Sequence, residues 1–72
     1  MTNTKVLRDL IESKGVKLKF IAEQLGLSAY GFQLKLNNHR EFKASEIAKL
    51  CELLDIKSMK LKEEIFFANK VD

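Results

Sequence analysis

The chain has 72 residues, 46% of them apolar, a net charge of +3, no proline and one cysteine, Cys51. That length supports one small domain with a thin core, and a lone cysteine excludes an intrachain disulfide or a cysteine-based zinc site. No apolar run approaches the roughly 20 residues of a membrane span, and MTNTKVLRDL lacks the apolar centre of a secretory signal peptide, so the expectation is a cytoplasmic, all-α protein.

Residues 4–14 predict a first helix. Val6, Leu7, Leu10 and Ile11 make one apolar stripe among Arg8, Asp9, Glu12 and Lys14. Thr4 or Asn3 is placed to cap its start, and Gly15 to end it.

Residues 18–25 predict a second helix with Ile21, Ala22 and Leu25 along its apolar edge. Its start, Val16-Lys17-Leu18-Lys19, has no Ser, Thr, Asp or Asn cap, and Lys17 opposes the helix dipole. Either a phosphate arrives there, since helix N-termini bind anions, or a poor cap is tolerated because packing holds the helix. Gly26 supplies the positive φ at which helices often end.

Ser28 follows at once and caps a third helix over 28–37. Phe32 and Leu36 face inward, while Tyr30 and Leu34 lie opposite them with Gln33 and Asn37 alongside. Gly31, at mid-helix, costs about 1 kcal/mol against alanine; it either relieves crowding or admits something close to the backbone. Helix, glycine turn and serine-capped helix, with small Ala22 allowing a close crossing, is the spacing of a helix-turn-helix.

NNHREFK, residues 37–43, predicts a polar loop pinned by Phe42, with His39, Arg40 and Lys43 left as donors. A fourth helix over 44–55 places Ile47, Leu50, Cys51 and Leu54 on one stripe, where Cys51 is a small buried apolar residue rather than a reactive thiol. Ser58 caps a last helix over 60–67, with Leu61 and Ile65 covering the core. Adjacent Phe66 and Phe67 point different ways, one sealing the core and one left for a partner, and residues 68–72 read as loose.

Charge is uneven. Residues 1–43 carry eight bases and four acids, +4, whereas residues 44–72 carry five bases and six acids, −1. The positive half contains the helix-turn-helix, which favours a polyanionic partner there.

The run L25-G-L-S28, F32, K35-L-N-N38, E41-F42 and S45-E46-I-A-K-L-C resembles the Cro/cI-type, or xenobiotic-response-element, helix-turn-helix family over roughly residues 5–67. The ending E64-I-F-F-A, followed by Lys70-Val71-Asp72, is similar to the ends of small temperate-phage regulators from Gram-positive hosts. The resemblance implies a compact five-helix, lambda-repressor-like domain with the third helix as recognition helix. It implies base-edge contacts from Ala29, Tyr30, Gln33 and Leu34. It also implies phosphate contacts from Lys17, Lys19 and the Leu18 N–H, and from Asn38, His39, Arg40 and Lys43. The sequence departs from the family where Leu18 stands in place of the more usual Gln or Thr, and its third helix is short of Arg, Gln and Asn.

Two binding readings follow. As a DNA-binding regulator of a phage or mobile-element switch, the third helix would offer Gln33 to adenine and Ala29 to a thymine methyl, with Lys35 at its side suited to a phosphate. As a protein-binding modulator, similar to the modulator-of-repression type, Tyr30 and Leu34 would enter a groove on the cognate repressor. A homodimer through Met59 and Phe66 or Phe67 would place two recognition helices about 34 Å apart on DNA. Catalysis, a cofactor, a metal and a small-molecule ligand are not expected, because His39 and Cys51 have no third member at a recognisable spacing.

Overall fold

The structure, a computed structural model, describes residues 2–67. Five helices form within them: α1 (Thr4–Lys14), α2 (Leu18–Leu25), α3 (Ala29–Leu36), α4 (Ala44–Leu53) and α5 (Met59–Phe66), with no strand among the described residues. The all-α, five-helix expectation is met. The expectation that residues 68–72 are loose lies outside the described residues, as does the Lys70-Val71-Asp72 ending.

Local chemistry sets the helix boundaries. Asn3, rather than Thr4, caps α1 by accepting from the Val6 N–H at 3.2 Å, and Gly15 closes the helix at φ 69°. Gly26, at φ 74°, closes α2, its N–H reaching the Ala22 and Glu23 carbonyls. Ser28 caps α3 through the Gly31 N–H at 3.0 Å, and Ser58 caps α5 through the Leu61 N–H at 3.2 Å. The fourth helix is shorter than the 44–55 expected. It stops at Leu53, Asp55 turns left-handed at φ 58°, and the Ile56 N–H returns to the Cys51 carbonyl at 2.8 Å. No glycine or proline marks that stop, which is why the apolar period runs on through it in the sequence.

The buried set joins all five helices: Leu7 and Ile11, Ile21 and Ala22, Phe32 and Leu36, Leu50 and Cys51, then Ile65 and Phe66, with Leu54 and Ile56 between α4 and α5. Full burial of each large aliphatic chain contributes about 1.5–3 kcal/mol. Phe42 folds back from the loop and forms edge contacts with Phe32 and Phe66, ring centroids 6.3 and 6.2 Å apart. That aromatic file ties α3, the following loop and α5 together. Phe66 seals the core, while Phe67 is half exposed. α2 packs against both α3 and α4, and α1 against α5. No helix among the described residues is long and apolar enough to cross a membrane.

Candidate nucleic-acid interface

The outer face of α3 presents Ala29, Tyr30 and Gln33 to solvent. Tyr30 is 73% exposed, the most open of the large apolar or aromatic side chains among the described residues. Leu34 is half-buried rather than fully outward; the chain after α3 closes back on it, with its carbonyl accepting from the N–H groups of His39 at 2.8 Å and Arg40 at 3.3 Å. At Gly31 a Cβ would stand 3.2 Å from Ser28 Oγ, the atom that caps the helix, a close approach that favours the crowding account of this glycine.

The chain segments before and after the helix-turn-helix pair carry exposed positive charge. At the start of α2, Lys17 and Lys19 are exposed, and Lys17, as N-cap residue, provides no side-chain hydrogen bond to the first-turn N–H groups. In the loop between α3 and α4, His39, Arg40 and Lys43 are exposed. None of Lys17, Lys19, Arg40 and Lys43 forms an ion pair among the described residues.

Two expected phosphate contacts are placed elsewhere. Lys35 is turned inward, 7% exposed, with Nζ 2.6 Å from Glu46 Oε1. Its ammonium is spent inside the protein because Glu46, at the third position of α4, is also buried and requires a counter-charge. Asn38 has the left-handed backbone expected of it, φ 62°, but its carboxamide is engaged. Oδ1 accepts from the Thr2 N–H at 3.1 Å, and Nδ2 donates to the Thr2 carbonyl at 2.8 Å. Beside it Arg8 Nη2 donates to Asn37 Oδ1 at 2.6 Å.

The Glu46 site went unread in the sequence, although a Glu three residues into a helix commonly returns to the N-cap N–H. Here Oε1 accepts from the Lys43 N–H at 2.8 Å as well as from Lys35. Burial pushes the carboxyl up, but the Lys35 hydrogen bond, the Lys43 N–H and the charges of both lysines outweigh it and hold it below its ordinary 4.5. A depressed folded-state value means that the stabilisation is present above the ordinary range and is lost as pH falls through the lowered value. Thermal melts at about pH 6 and about pH 3 should therefore show a smaller acid-induced loss for Glu46→Gln than for the parent. Equal losses would remove Glu46 as a source of acid sensitivity. Phe20, 46% exposed on α2, is a second feature the sequence reading passed over. Cys51 is buried, and burial raises its thiol, partly opposed by Lys62, so it is not primed as a nucleophile.

Residues 3–69 match the family described as protein of unknown function (DUF739). No curated protein and no solved structure matches the chain. The match takes in all five helices and every side chain of the surface around α3. The chain therefore belongs to the DUF739 family.

Proposed function

We propose that this domain is a DNA-binding transcriptional regulator of a phage or mobile-element switch, laying α3 in the major groove of duplex DNA. One observation carries the reading: a solvent-facing α3 surface of Ala29, Tyr30 and Gln33 lies between two chain segments bearing Lys17, Lys19, Arg40 and Lys43, all exposed and unpaired among the described residues. Gln33 offers the paired donor and acceptor that match adenine N7 and N6, and Ala29 offers a methyl to thymine. The cations and the uncapped first turn of α2 suit phosphate oxygens, which set register without reading sequence. The reading is of a binding protein that works without catalysis, metal or cofactor.

Titration against duplex DNA from the regulatory region beside its own gene tests the proposal. Four neutralised phosphates give a log–log salt slope near −3.6, so affinity should fall about 100-fold between about 50 and about 200 mM salt. No binding at micromolar protein in the lower salt overturns the reading.

Tyr30 favours a second reading. So exposed an aromatic ring, four residues before half-buried Leu34, also suits an anchor for a groove on a cognate repressor protein. Tyr30→Ala separates the two. Loss of a repressor complex with DNA affinity kept within about threefold favours the protein partner, since an anchor of this kind is worth ~2 kcal/mol or more.

A further inference from the structure

We propose that Asn38 is a positioning residue for the interface: its carboxamide, clamped to Thr2, holds the loop after α3 in the shape that presents Arg40 to a polyanion. The inference rests on the DNA-binding reading and assigns a role to a residue that does not itself touch the nucleic acid.

The clamp is two-sided. Asn38 Oδ1 takes the Thr2 N–H and Asn38 Nδ2 gives to the Thr2 carbonyl, 36 residues away in sequence. Thr2 is 6% exposed, and the next residue is fastened twice: the Asn3 N–H donates to the Ile65 carbonyl of α5 at 2.6 Å, and the Asn3 side chain caps α1. Arg8 on α1 grips neighbouring Asn37. The two residues leaving α3 are thus tied to the α1 side of the molecule, and the two that follow, His39 and Arg40, hang from the Leu34 carbonyl. An exposed polar loop without such ties would have to order its donors at the moment of binding. Here that ordering is done in the free protein, and pre-organisation of this kind is a general source of affinity.

The left-handed backbone alone does not explain Asn38. At φ 62° glycine is at least as well accommodated as asparagine. What glycine cannot supply is the carboxamide. Asn38→Gly therefore removes the clamp and leaves the turn unstrained.

The experiment is DNA titration over a salt series with the full chain carrying Asn38→Gly, Arg40→Ala and both, beside amide hydrogen exchange of the free proteins. Asn38→Gly should weaken binding about 3–10-fold and lower the salt slope by about one, as Arg40→Ala does. The double variant should match Arg40→Ala to within about twofold, because both remove one contribution. Exchange of the His39 and Arg40 amides should speed up about tenfold or more in Asn38→Gly. In amide exchange of the free protein, Asn38→Asp, which keeps the acceptor for the Thr2 N–H and loses the donor, should fall between the parent and glycine. Parent-like binding of Asn38→Gly, multiplied effects in the double variant, or unchanged amide protection overturns the positioning role while the DNA reading stands. Absence of binding by the parent chain overturns both.

Discussion

Lys35→Met should cost about 3–5 kcal/mol of stability, because it leaves the buried Glu46 carboxylate without its counter-ion. The pair is 2.6 Å apart with both side chains 8% exposed, so solvent cannot take over the lysine's role. A domain of this size holds only about 4–11 kcal/mol in total, so the single variant stands close to unfolding in mild denaturant. Adding Glu46→Leu should restore most of the loss, since replacing both buried charges by apolar groups is often neutral. The restoration stops about 1 kcal/mol short because Glu46 also accepts the Lys43 N–H at the start of α4. Urea midpoints at unchanged m value measure both steps. If the double variant is no more stable than Lys35→Met, the two charges are not coupled and the pair does not join α3 to α4 energetically.

The same residue marks where sequence reading stops. Local signals set most of the fold: Leu7 and Ile11 at helical spacing, Gly15 and Gly26 with positive φ, Ser28 and Ser58 as caps all act within a few residues of themselves. Lys35 lies three residues after Phe32 and one before Leu36, on the border of the buried stripe. From there its long stem can reach either water or the interior. Which it does depends on Glu46, eleven residues on and in another helix. Asn38 is similar: its left-handed backbone is a local preference and was legible, whereas its hydrogen bonds to Thr2 depend on the docking of α1 and α5. The outward positions of Tyr30 and Gln33 were legible from helical phase alone, whereas Ala29 came only with the family resemblance. The half-burial of Leu34 was not legible, since helical phase alone sets Leu34 opposite the core beside Tyr30.

Those outward residues lead to the second large effect, a split between specificity and affinity. Gln33 is the one exposed side chain of α3 that carries both a donor and an acceptor on a planar amide, the arrangement that pairs with an adenine edge. Gln33→Ala should remove about 1–3 kcal/mol of discrimination at one base pair of the operator and change non-specific binding little. Lys43 is exposed at the N-cap of α4; its backbone N–H is committed to Glu46, but its ammonium is free of ion pairs among the described residues. Lys43→Ala should weaken every duplex by a similar factor and lower the salt slope by about one. The contrast is read from a panel of operator variants, one base pair changed at a time, titrated with each protein. A Gln33→Ala chain that keeps the parent's ranking of the panel would show that Gln33 reads no base. A Lys43→Ala chain whose loss differs from one duplex to the next would show that the lysine is not a phosphate contact. The two side chains lie on different elements and share no hydrogen-bond or ion-pair partner among the described residues, and independent effects of this kind combine additively to within about 0.3–0.5 kcal/mol. The doubly substituted chain should therefore rank the panel as Gln33→Ala does, at affinities lowered throughout by the Lys43 factor.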